Sequence, residues 1–293
     1  MSSAVFKYPE QLVSTEWLAH NLADTSLRIF DCTTYLRYTP GTGKPYRVES
    51  GREDYNKAHI PGSAYIDLQL DLSDNDSPFR FTILPPAPLA ERFAAQGISD
   101  TSRVILYSRA NMQWATRVWW MLRYIGFDNA ALLDGGWDKW SAEGRARSSE
   151  SNVYPAGQLK TAPRPNLFTG KDETLGAIGD GGICTINALA ADLHSGANDR
   201  YGRPGRIPGS VNVPAVDLQV GDTRHFASPD VVEERFAAVG AAQDKRIIIY
   251  CGGGIAATLD AYLLHQLGYE NIGVYDNSMS EWANDASLPV EVD

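Results

Sequence analysis

The residues best suited to chemistry in this chain stand in one short run, "YCGGGIAAT" at 250–258. It places a cysteine one tyrosine after the β-branched residues 247–249 and three glycines ahead of a helix-forming segment. A cysteine at the carboxyl end of a strand in a parallel sheet lies where open α/β sheets bind ligands. Glycines after it let the backbone adopt φ above zero and curl its N–H groups inward. Those groups, with the unsatisfied ones of the first helical turn, form an anion nest at the positive end of a helix dipole. A thiolate there is stabilised, and the same donors suit a persulfide or a bound oxyanion. The run predicts a nucleophilic sulfur, Cys251, in a cradle of amides. The other two cysteines, Cys32 and Cys184, sit in apolar strand contexts without glycines and read as small buried hydrophobes.

The elements that must hold this loop occur twice. "NKAHIPGSAYIDLQLDL" (56–72) is echoed by "RPGRIPGSVNVPAVDLQV" (203–220), and ERFAA recurs at 91–95 and 234–238. The stretch 103–140 is answered by 246–282, each reading strand, loop, helix, Gly-aromatic turn, short strand and an acidic turn ending in Trp. Three echoes in one order indicate an internal duplication. Short apolar runs at 28–31, 104–107 and 131–133, and again at 183–186, 247–250 and 273–275, predict buried strands. Segments 89–96, 114–124, 231–239 and 256–267 predict helices. Alternation of this kind implies α/β architecture: two tandem domains, each a mostly parallel five-stranded sheet flanked by helices, with Cys251 in the cleft between them. The Ser/Pro/Ala-rich stretch 148–166 reads as the linker, between a first domain at 5–147 and a second at 167–290. At the position of Cys251 the first copy has Ser108, followed by RANMQW and no glycine. One copy is therefore expected to be catalytic and the other structural.

Composition removes several function classes. A net charge of −10 argues against nonspecific nucleic-acid or membrane-surface binding, which needs basic patches. An odd cysteine count without CxxC spacing fits reduced thiols and not a zinc site or a disulfide framework. No GxGxxG or Walker sequence occurs, so neither a metal nor a cofactor is expected. The N-terminal residues lack a basic-then-apolar leader pattern, and the chain reads as cytoplasmic.

The motifs "AHIPGS" with the downstream Asp67, "RVWWMLRYIGF", "LLDGGWDKW", "RIPGSVNVP", "IIIYCGGGIA" and "VYDNSMSEW" together give the chain a specific resemblance. It resembles the tandem-domain rhodanese-like sulfurtransferases, which include thiosulfate sulfurtransferase and 3-mercaptopyruvate sulfurtransferase, over nearly its whole length. The resemblance implies an inactive first domain and a second whose cysteine opens a six-residue cradle: Cys251, Gly252, Gly253, Gly254, Ile255 and Ala256. It implies that Cys251 takes a sulfane sulfur from a small anionic donor, becomes a persulfide, and passes the sulfur to cyanide or a thiol. Thiosulfate-preferring members carry basic residues after the cysteine. This loop has none, which tilts the expected donor towards 3-mercaptopyruvate and suggests that Arg at Gly252 with Lys at Gly253 would favour thiosulfate. Family members often begin the second domain with Asp-Ala-Arg, whereas this chain has Asn187-Ala188-Leu189. Arg200, Arg203 and Arg206 read either as solvated or linker-facing arginines or, one of them, as the anion guide the loop lacks; Arg200, in an Arg-Tyr-Gly setting similar to the family's, is the candidate for that role.

His59 reads as structural, and Trp114, Trp119 and Trp120 as core and domain-interface packing. Two other functions fit a cysteine cradle. A cysteine phosphatase needs an arginine six residues after the nucleophile, where this chain has Ala257. A noncatalytic sulfur carrier or sensor would keep Cys251 reactive without turnover.

Overall fold

Short runs of β-branched and apolar residues form the centre of two sheets in a computed structural model that describes residues 4–38 and 45–293. In the first sheet the spatial order is Leu12–Val13, Ala130–Leu133, Arg103–Tyr107, Leu27–Asp31, Ala64–Tyr65. In the second it is Phe168–Thr169, Ile272–Tyr275, Arg246–Tyr250, Ile183–Asn187, Val211–Asn212. Every pairing within both sheets is parallel. Numbered along the chain, each sheet reads 1-5-4-2-3, so the duplication inferred from three sequence echoes is a duplication of topology. The central strands are those the apolar runs predicted, each one residue longer at one end. The outer strands have two residues each, too few to show a period, and the sequence did not locate them. Two antiparallel hairpins, Thr34–Arg37 with Arg47–Ser50 and Gln219–Val220 with His225–Phe226, were not anticipated either.

The domains meet along the helices Gln113–Tyr124 and Ala256–Gln266, each of which follows the central strand of its own sheet. Thr116 and Thr258, equivalent residues of the two copies, approach to 3.0 Å between hydroxyl oxygens. Each also donates to a carbonyl three residues back, of Gln113 and of Ile255. The pseudo-twofold axis relating the domains thus runs between two threonines. Trp119 packs edge-on against Tyr262 at 4.9 Å, and the indole of Trp120 donates to the Leu167 carbonyl, the packing role predicted for these tryptophans. A buried link is ionic: Arg117, fully buried, reaches Asp276 Oδ1 at 2.5 Å. Residues 151–164 form no regular element but lie against the first domain, where the Tyr154 hydroxyl accepts from Ile29 N–H and donates to the Gly62 carbonyl. Among the described residues no helix is long and apolar enough to cross a membrane.

Candidate active site

Cys251 follows the last residue of the strand Arg246–Tyr250 and is only 2% exposed. Its N–H donates to Ser278 Oγ at 3.0 Å, and that hydroxyl donates to the Tyr275 carbonyl. Ser278 holds φ +50°, a left-handed conformation that costs a non-glycine residue about 1–3 kcal/mol and persists only where its surroundings fix it. Around the loop the carbonyls are tied off. Met279 N–H binds the Cys251 oxygen, Ser280 binds the Gly252 oxygen through both N–H (2.8 Å) and Oγ (2.6 Å), and Arg117 binds the Gly254 oxygen at 3.1 Å. Thr258 holds the Ile255 oxygen in the same way. Among the described residues, by contrast, the N–H groups of Gly252, Gly253, Gly254, Ile255 and Ala256 have no acceptor. Acceptors satisfied and donors left open: the loop is built to hold an anion.

The three glycines serve different ends. Only Gly254 has positive φ, +70°, and a Cβ on it would run into the Asp276 carbonyl. Gly252 is in an ordinary conformation but gives its space to the Tyr201 hydroxyl. Gly253 is the loosest, a Cβ there lying 3.3 Å from the Tyr46 hydroxyl. Inserting Arg at Gly252 is therefore no clean test of loop charge, because the first carbon of its side chain displaces Tyr201.

A cavity of about 230 Å³ opens in front of Cys251, lined by residues of both domains. Of the cradle, Gly252, Gly253, Ile255 and Ala256 line it, while Gly254 faces the Asp276 turn behind. Among the described residues Arg200 is its only charged lining residue, half-buried and 3.8 Å above the ring of Tyr38. The other two candidate arginines are committed elsewhere. Arg203 donates to the carbonyls of Trp282, Ala283, Asp285 and Leu288, and Arg206 pairs with Glu291 and Asp293. Leu189 lines the cavity at the place where a second arginine was missed.

Sequence reasoning did not find the aromatic wall. Tyr46 and Tyr201 stand 6.4 Å apart between ring centroids, and Tyr38 lies 6.5 Å from Tyr46. Burial pushes the Tyr46 phenol up to about 12, and pushes that of Tyr201 well above its ordinary value, so both remain O–H donors at neutral pH. Asn111 and Gln113, from the degenerate loop of the first domain, and Gln219 add neutral polar groups. Ser278 was legible in principle, since the repeat aligns it with Gly136, which has φ +52°.

The corresponding pocket of the first domain is filled by its own loop. Arg109, next to Ser108, places its Nε 3.4 Å from Asp31 Oδ2, reaches the Ala58 carbonyl and lies 4.2 Å over the Trp137 ring. His59 is buried, stacked on Tyr55 at 3.9 Å and held between the carbonyls of Tyr55 and Glu150, away from Cys251. Cys32 and Cys184 are buried and unpaired, and burial pushes both thiols up. No cluster of metal-ligating side chains occurs among the described residues.

The family model for the rhodanese-like domain matches residues 14–143 and 190–285. A 3-mercaptopyruvate sulfurtransferase of Escherichia coli K12 is 30% identical over 283 residues, 95% of this chain and 97% of the relative. A thiosulfate sulfurtransferase of Cricetulus griseus is 28% identical, covering 94% of this chain and 92% of that one. The crystal structure from Escherichia coli that describes the rhodanese fold and catalytic mechanism of 3-mercaptopyruvate sulfotransferases superposes with a TM-score of 0.77. That match has 27% identity and covers 92% of this chain and 98% of the other. Tandem topology, a cysteine cradle in the second copy and these relationships agree: the chain belongs to the rhodanese-like domain family, as a two-domain sulfurtransferase.

Proposed function

We propose that Cys251 is the sulfur-carrying nucleophile and that its preferred donor is 3-mercaptopyruvate. The thiolate attacks the donor's sulfur, and a Cys251 Sγ–S bond forms as the donor's C–S bond breaks. The electron pair of that bond stays on carbon as the enolate of pyruvate, which takes a proton from water. The five open N–H groups hold the sulfur anion before and after the step. Arg200, free of any carboxylate partner, grips the donor carboxylate by a charge-assisted contact. Persulfide sulfur then passes to a thiol or to cyanide.

The observation that carries the donor choice is the charge of the cavity: among the described lining residues there is one cationic side chain, Arg200, surrounded by tyrosines and neutral amides. A monoanionic donor matches that count, and doubly charged thiosulfate leaves one charge without a partner. Comparing kcat/KM for the two donors at a fixed cyanide concentration tests this, with 3-mercaptopyruvate expected to lead. Thiosulfate leading by tenfold or more would reject it. The same assay separates an enzyme from a carrier, because a carrier releases one sulfur per chain and stops. Ala257, fully buried where a phosphatase would hold its arginine, leaves phosphate ester hydrolysis without a cation.

A further inference from the structure

A second and larger cavity, of about 860 Å³, lies on the far side of the tyrosine wall from Cys251. Tyr46 and Tyr201 line both spaces and stand between them. Its floor is the brace of the cradle: Ser280, whose hydroxyl holds the Gly252 carbonyl, and Asn284, which donates to the carbonyls of Tyr201 and Ser280. The first domain supplies the rest, as an apolar shelf of Leu70, Pro78 and Phe79 flanked by charges. Leu70 is 65% exposed, an unusual position for a large apolar side chain. Arg80 is exposed and has no hydrogen bond or ion pair among the described residues, whereas Arg47 is engaged by Glu49 at 2.9 Å. Asp67 accepts from the Leu70 N–H through Oδ1, which leaves Oδ2 for a ligand.

We infer that this groove binds the body of the sulfur acceptor, a small cysteinyl peptide with a free carboxylate and a free ammonium group. The inference rests on the sulfurtransferase reading and deepens it by giving the acceptor a site separate from the donor's. The unpaired guanidinium of Arg80 suits the carboxylate, the open oxygen of Asp67 suits the ammonium, and the shelf between them suits a peptide backbone. In a chain of net charge −10, an unpartnered arginine in a concave site is a local reversal of field that draws in an anion. The volumes divide the work in the same way, since the cavity at Cys251 is about a quarter of the size of this one. With the body so held, the acceptor thiol reaches the persulfide when the rings of Tyr46 and Tyr201, in edge contact at 6.4 Å, move apart. Its thiolate attacks the outer sulfur of the persulfide, an acceptor S–S bond forms, and the bond to Sγ breaks. Cys251 departs as a thiolate into the amide nest, and no other reactant is required.

Glutathione and cyanide serve as paired acceptors with the intact protein. Arg80→Glu is expected to raise the KM for glutathione at least tenfold while leaving kcat/KM for cyanide and for the donor unchanged. S-methylglutathione, which has no thiol to react, is expected to inhibit competitively against glutathione and to lose that inhibition in Arg80→Glu. An unchanged glutathione KM, an equal rise for cyanide, or a KM shift seen only with a protein dithiol acceptor would each overturn the assignment. Absence of any turnover with cyanide in the unmodified protein would overturn the sulfurtransferase reading and this inference together.

Discussion

At the scale of single residues, the proposed site rests on the sulfur of Cys251 and the guanidinium of Arg200. Cys251→Ser is expected to reduce steady-state sulfur transfer to background. Replacing both Cys32 and Cys184 by Ala should leave kcat within about threefold once stability is matched, since both thiols are buried and outside the cradle. Arg200→Ala removes a charge-assisted contact of about 1.5–3 kcal/mol, roughly a ten- to hundredfold rise in donor KM. Arg203→Ala is expected to do the opposite: it frees four carbonyls, so the melting temperature falls while donor KM holds. Cys251 and Arg200 could be singled out from sequence because each sits in a local pattern of its own, and both line one cavity. Tyr38, Tyr46 and Tyr201 could not be singled out. They come from separate stretches of chain, and only the packing of the two domains brings their rings together.

At the scale of the element, the loop between the strand Arg246–Tyr250 and the helix Ala256–Gln266 was predicted for what it is, but for a partly wrong reason. Backbone freedom is required at Gly254 alone, while Gly252 and Gly253 are small for the sake of the tyrosines beside them. Gly254→Ala combines left-handed strain with a clash against backbone, and should eliminate most activity and lower the melting temperature by several degrees. Gly253→Ala needs the Tyr46 hydroxyl to yield by only a few tenths of an ångström and should keep most of the activity. Equal losses in the two variants would show that the loop tolerates no side chain at all. Sequence located the long central strands and helices because a run of four or more apolar residues is informative. The two-residue outer strands take their pairing from neighbours already in place, which no local pattern records.

At the scale of the whole molecule, residues 7–11 clamp the helix Ala256–Gln266 that follows the cradle. Lys7 N–H donates to the Gln266 carbonyl, Tyr262 donates to the Gln11 carbonyl, and His265 stacks on Tyr8 at 4.4 Å with Nε2 3.0 Å from Gln11 Oε1. Burial, reinforced by Arg123, pulls His265 down to about 3 from its ordinary 6.5. Above pH 6.5 the imidazole is neutral whether the chain is folded or not, and contributes nothing to pH dependence. Between 6.5 and 3 the unfolded chain takes up a proton that the folded one refuses, and stability falls by up to ~1.4 kcal/mol per pH unit. Urea denaturation from pH 7 to 4 should therefore show a steeper decline for the native chain than for His265→Gln. Parallel curves would place the acid sensitivity elsewhere. The tandem organisation behind these contacts was readable because it is written twice; the axis between Thr116 and Thr258 was not, since either threonine alone is an ordinary helix residue.

The occupied pocket of the first domain bears on reversibility. Ser108 differs from a thiol by a single atom, yet its neighbour Arg109 has already bonded to Asp31 and the Ala58 carbonyl and covered Trp137. Ser108→Cys would therefore produce a sulfur with no vacant donors around it, and mass spectrometry after incubation with donor should still find one added sulfur per chain. Two would mean that the arginine swings out readily. The two copies are therefore more than one substitution apart: a sulfur at position 108 stays without an anion site until the contacts of Arg109 are also undone.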